Sequence, residues 1–144
     1  MAHYYGVART NYFKVTDEKK YEELFNGLSS ETGVEGSSCT IDGELKYGFG
    51  SFSSIDYCAD AEECLYDFEI FLTELQKILP DGEAFIYQEV GYEKLRYVTG
   101  FAYIVTNKTI EYISLEGSAM AKAKELIIKQ ENNFDDIICE VTHE

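Results

Sequence analysis

Apolar positions in this chain repeat with two periods, and the changes from one period to the other divide it into elements. The run TNYFKV over 10–15 is dense in β-formers and predicts a first strand. Over 17–28, Tyr21, Leu24, Phe25 and Leu28 fall at i, i+3, i+4 and i+7, the stripe of an amphipathic helix with Thr16 as its cap. Positions 29–38 are polar with two glycines and read as a loop. Asp42-Gly43 separates two β-like runs at 39–41 and 44–49, a hairpin signal because both residue types tolerate positive φ. The most regular pattern follows. Leu65, Phe68, Leu72, Leu75 and Leu79 step by three or four, which predicts a helix over 60–79 that Pro80-Asp81-Gly82 stops. Strands are expected at 84–90, 95–106 and 109–115, the last two joined at Asn107-Lys108, and a third helix at 116–130. Positions 134–141 fit either a short helix or an edge strand.

This order predicts a single α+β domain over 1–144: an antiparallel sheet, made of the three-strand meander, the first strand and the hairpin, with about three helices. A length of 144 residues with 45% apolar positions suffices for one packed core. In the central strand of the meander, Tyr97, Phe101, Tyr103 and Val105 alternate with Val98, Ala102 and Ile104, so both faces of the sheet are apolar. Helices cover one; the other needs a second layer, the hairpin or a partner.

Charge changes the picture from fold to partner. Twelve Lys plus Arg stand against 27 Asp plus Glu, a formal net charge of −15, with Arg9 and Arg96 the only arginines. Direct binding to nucleic acid or to an anionic membrane is therefore not expected, because both need clustered cations. No basic and apolar leader opens the chain and no apolar run reaches the length of a membrane span, so a cytoplasmic location is expected. Cys39, Cys58, Cys64 and Cys139 are then expected to be free thiols that pack as small apolar groups.

Candidate chemistry is sparse. His3 and His143 lie near the ends of the sequence, and no nucleophile elbow surrounds a Ser or Cys, which points away from an enzyme. The cysteine spacing fits no zinc knuckle, and the acids within 56–67 lack the glycine and glutamate positions of a calcium loop, so no metal or other cofactor is expected. Gly48-Phe49-Gly50-Ser51 is too short a glycine motif to specify a phosphate cradle.

The acids are unevenly spread. Between 56 and 93 eleven acids meet a single base, Lys77, a local balance of −10. On a helix over 60–79, Tyr66 and Ile70 point outward, four residues apart, among Glu62, Glu63, Asp67, Glu69 and Glu74. Exposed carbon ringed by carboxylates is the composition of an interface with an acidic rim, and its complement is a basic protein surface. Nucleic-acid-binding clefts are the commonest of these, although −5 on a helix of ~30 Å is dilute beside the roughly 18 phosphates of a duplex that long.

The segments ARTNYFKV (8–15), YGFGSF (47–52), PDGEA (80–84) and EKLRYVTG (93–100) resemble a family of small uncharacterised proteins carried by bacteriophages and mobile elements. The resemblance spans most of the chain and brings no catalytic motif. It implies a host-defence context, in which small acidic phage proteins act as inhibitors, including anti-CRISPR and anti-restriction proteins. The expectation is thus a non-enzymatic inhibitor that occupies the basic nucleic-acid-binding surface of a defence protein. Two alternatives remain: a binder of small anionic ligands, anchored by Arg9 or Arg96 beside Tyr97, and a homodimeric structural module that buries its aromatic sheet face on itself.

Overall fold

The computed structural model describes residues 4–95 and 97–131, and for Tyr97 and Glu131 the backbone only. Arg96, both histidines, Cys139 and the ambiguous 134–141 stretch lie outside the described residues. In chain order the elements are β1 (Tyr5–Thr10), α1 (Glu18–Asn26), β2 (Leu28–Ser30), β3 (Glu35–Ile41), β4 (Glu44–Ser51), β5 (Ile55–Asp60), β6 (Leu65–Tyr66), α2 (Phe68–Gln76), β7 (Phe85–Glu93), β8 (Tyr97–Val105), β9 (Ile110–Ser114) and α3 (Leu115–Glu131). The fold is α+β. A six-stranded sheet runs β3-β4-β1-β7-β8-β9, antiparallel at every pairing, beside a small sheet in the order β2-β5-β6.

Local chemistry accounts for the elements. Asp42 and Gly43 take φ of 54° and 80°, the positive pair that a two-residue hairpin turn requires between β3 and β4. Asp17, not Thr16, caps α1, its Oδ1 accepting from the Lys20 amide at 3.0 Å. The first strand lies earlier than its β-propensity suggested. Beyond Thr10 the Asn11 side chain replaces the ladder, donating to the Ala84 carbonyl and accepting from the Ile86 amide, both at 2.9 Å. The chain then leaves the sheet, and of 11–15 only Phe13 pairs again, as a lone bridge to Tyr47. The polar stretch at 29–38 is not a continuous loop, since Ser29 and Ser30 pair with β5 and residues from Glu35 onward pair with β4.

The largest correction concerns 60–79. Asp60 closes a turn by accepting from the Glu62 and Glu63 amides, Cys64 sits at φ 54°, and Leu65 and Tyr66 pair with β5 as a strand. Helix α2 starts only at Phe68, where Asp67 Oδ1 accepts from the Glu69 amide at 3.0 Å. Leu65, assigned by periodicity to the core stripe, is exposed.

One face of the large sheet is covered by α1 and α2. Between them lies an aromatic core in which Phe85 meets Phe13 edge-on at 4.9 Å and Phe68 meets Tyr87 at 4.7 Å. Burial raises the pKa of Tyr21 and of Tyr87, with the charge of Glu89 adding to the effect at Tyr87. A phenol whose folded-state pKa is raised contributes stability that is whole below the ordinary value of about 10 and is lost as the pH climbs past it. Absorbance titration should therefore show these two rings ionising together with loss of the circular dichroism signal. Smooth ionisation of all 12 tyrosines in a chain that keeps its native spectrum would contradict this.

The other face is largely open. It carries Tyr5, Val7, Val90, Tyr92, Val98 and Ile113, all exposed, and α3 covers little of it. Ser114 caps α3 through a bond from the Gly117 amide, and Leu115 stands over Gly100. No helix among the described residues is long and apolar enough to cross a membrane.

Candidate functional site

The hairpin of β5 and β6 replaces the helix as the carrier of the acidic cluster. Its two strands pair Cys58 with Tyr66 and Asp60 with Leu65 across an irregular register. The β2–β5 ladder and further contacts join it to the body of the protein. The Cys58 amide donates to the Gly27 carbonyl and the Asp67 amide to the Tyr57 carbonyl, both at 2.8 Å, while the Tyr57 ring lies 5.6 Å from Phe71. Gly27 is glycine for this reason, because a Cβ there would stand 2.6 Å from the Tyr57 ring.

The entry to the hairpin is tied down by a buried carboxylate. Glu89, on β7 beneath the covered face, accepts from Tyr4 and Ser54 at Oε2 (2.9 and 2.6 Å) and from Tyr87 at Oε1 (2.8 Å). Ser54 immediately precedes β5, so these bonds fix where the hairpin leaves the sheet.

At the outer end, Leu65 is 45% and Tyr66 54% exposed. The Tyr66 phenol is held above the ordinary tyrosine range by a side-chain hydrogen bond with Cys58, reinforced by the charges of Cys58, Cys64 and Asp56. Asp56, Asp60, Glu62, Glu63, Asp67 and Glu69 surround this pair of side chains in sequence, all of them exposed. Not one Lys or Arg occurs from 47 to 76, and none of these six carboxylates forms an ion pair among the described residues. Asp56, Asp60 and Asp67 each accept a backbone amide and so also shape the hairpin. Glu62 and Glu63 crown its turn.

Two residues expected at the interface are placed elsewhere. Ile70 is half-buried on α2 and does not share a helical face with Tyr66, which belongs to a strand. Glu74 is also half-buried and bridges Lys77 at 3.0 Å and Lys20 at 3.7 Å, tying α2 to α1. Its hydrogen bond to Lys77 holds its carboxyl below the usual range. Leu65 takes the place of Ile70 beside Tyr66, and Asp67-Phe68-Glu69, with an Asx residue ahead of an apolar run, was the cap signal that marks the change.

Of the residues expected to hold an anion, Arg96 and the side chain of Tyr97 lie outside the described residues, and only the strand position of Tyr97 can be set against Arg9. Arg9 lies on the open face opposite Gln88, whereas Tyr97 pairs with Glu93 across β7. Five residues of strand separate the two positions, roughly 17 Å at the usual rise. Arg9 is exposed and has no ion pair among the described residues. Cys39, Cys58 and Cys64 are free thiols.

Comparisons with protein families, with curated proteins and with solved structures give no match.

Proposed function

We propose that the β5–β6 hairpin docks on a basic protein surface and that the protein is a non-enzymatic inhibitor occupying a nucleic-acid-binding cleft. The observation that carries this reading is the exposure of Leu65 and Tyr66 on an anchored hairpin, among six carboxylates without ion-pair partners among the described residues. The apolar pair supplies area that gains free energy when water is excluded, and the carboxylates steer a cationic partner toward it. Anchoring matters because a preordered hairpin loses little conformational entropy on binding.

The charge density supports a nucleic-acid mimic better than the expected helix did. Four charges on a hairpin of ~20 Å amount to about one per 5 Å, sparser than the 3.4 Å of phosphates along one strand of a duplex, and Asp67 and Glu69 at the start of α2 add to them. A cleft that binds a single strand, or one edge of a duplex, is the fitting target. The resemblance to phage-borne proteins points to a defence nuclease as the owner of that cleft, in the manner of anti-restriction and anti-CRISPR proteins.

The test is capture from a host lysate on the immobilised protein at low and high salt. Retention of a basic protein at about 50 mM salt and its release at about 0.5 M is expected, because exposed charges are screened over a few ångströms at the higher value. Tyr66→Ala should weaken the captured complex about 30-fold, the scale of an aromatic hot spot. The Glu62→Lys, Glu63→Lys double variant should slow association at least tenfold. Tight capture that survives high salt and the double reversal would contradict the proposal.

A further inference from the structure

The open face of the large sheet holds a broad apolar groove of about 980 Å³, on the side opposite the helices that carry the hairpin. Among the described residues its walls contain no acid and a single cation, Lys94, in a chain whose net charge is −15. Tyr5, Phe52, Val90, Leu95, Val98 and Leu115 project into it at exposures from 56 to 98%. At ~150–250 Å² for an aromatic side chain and less for valine and leucine, these six, only partly exposed, present several hundred Å² of apolar surface. That is at least the size of the largest patch of about 300–600 Å² on an ordinary monomer, and with α3 beside it the face approaches one partner's share of a standard interface.

Helix α3 shows a second unmet need at the same place. It starts at Leu115 on the groove's rim and runs 17 residues, yet none of its described side chains is buried, and Leu126 and Ile128 are exposed. Helices in proteins draw most of their stability from packing a face against something else, and α3 has little such packing. Its three lysines and three glutamates cancel, so α3, like the groove, is free of the molecule's excess negative charge.

We infer that this face is the interface of a symmetric homodimer, with the occupant of each groove a second copy of this chain. Two bodies of −15 repel over most of their surfaces and can approach only where the acids are missing. Groove and α3 together form that region, and a two-fold axis matches each groove with the other and sets each α3 against the partner. Among the described residues a basic partner finds no acid in the groove to attract it, and an acidic one finds only Lys94 within it, Arg9 lying farther along the same face. The acidic hairpins stay exposed on the outer sides of the pair.

Sedimentation of the full chain from about 1 to 200 μM, at 0.15 and 0.5 M salt, tests this, with micromolar affinity the lower bound for an apolar interface of this size. A species of twice 16.4 kDa that persists at the higher salt is expected. Val98→Glu should shift the midpoint of dimerisation at least 100-fold while the circular dichroism spectrum stays native, since the side chain is 69% exposed. Leu95→Glu, at a rim position 98% exposed, should act in the same direction with no cost to folding. A monomer at every concentration overturns the inference, as does a dimer indifferent to both substitutions. The Glu62→Lys, Glu63→Lys variant should dimerise normally, so loss of basic-partner binding and loss of dimerisation are separable.

Discussion

Replacing Phe85 by alanine should lower the free energy of unfolding by about 3–5 kcal/mol, the usual cost of deleting a large ring from a core that cannot collapse around the void. Phe85 is fully buried at the start of β7. Its ring lies 4.9 Å from Phe13, 6.0 Å from Phe49 and 6.1 Å from Phe71, centroid to centroid. Those three rings come from the segment after β1, from β4 and from α2, so the void would open where sheet and helix layers meet. Neighbouring aromatics are stiff and planar and fill such a space poorly. With a typical total of about 5–15 kcal/mol, a loss of this size brings the variant close to unfolding at room temperature. Phe52→Ala provides the contrast, because that ring is 69% exposed and its loss should cost the monomer's fold about 0.5 kcal/mol or less. Denaturant titration of both variants is the measurement. A Phe85→Ala effect below about 1 kcal/mol would show that the aromatic layer is not the seat of stability.

The second large effect belongs to Glu89. Removing its carboxylate with Glu89→Ala leaves the buried hydroxyl of Tyr87 without its acceptor, and the half-buried Tyr4 and exposed Ser54 lose theirs too. A buried donor left without an acceptor costs about 1–3 kcal/mol, and the two less buried bonds add a fraction of that each. A net loss of about 2–3 kcal/mol is expected. Glu89→Gln keeps one acceptor oxygen and offers an amide that can donate to a phenol, so it should cost only about 1 kcal/mol. The difference separates loss of the hydrogen bonds from loss of charge. Because Ser54 leads into β5, Glu89→Ala should also speed amide exchange across β5 and β6, while exchange in β8 rises only as far as global stability falls. Equal acceleration in both regions would mean that Glu89 supports the core without positioning the hairpin.

The sequence made the sheet and two of its helices readable for a physical reason: their signals are local and agree with one another. Asp42-Gly43 can hardly do anything but turn, and the stripe of Tyr21, Leu24 and Phe25 buries a ring and a leucine and half-buries a second ring where α1 packs. The position of β1 in the middle of the sheet, between β4 and β7, carries no such signal because it depends on which backbone edges meet. The misreading at 60–67 came from a period match. Leu65 falls in step with Phe68 and Leu72, but the capping carboxylates of Asp60 and Asp67 compete with the helical backbone, and β5 offers Leu65 and Tyr66 a ladder instead. Tyr66, Glu62, Glu63, Asp67 and Glu69 nevertheless cluster in the candidate site, because closeness in sequence keeps them close in any local structure. Ile70 and Glu74, whose place there required an unbroken helix, did not survive its loss. Glu89 could not be singled out at all, since its partners stand 2, 35 and 85 residues away.

The most direct measurement is competition by nucleic acid for the partner held on the hairpin. With the captured basic protein bound to the immobilised chain, a duplex or single-stranded oligonucleotide of about 20 nucleotides is titrated in at fixed salt, since phosphate affinity falls steeply with ionic strength. Stoichiometric release, with the Glu62→Lys, Glu63→Lys variant displaced at a lower oligonucleotide concentration than the native chain, is the expected result. A complex that holds both the oligonucleotide and this protein at saturation would contradict it.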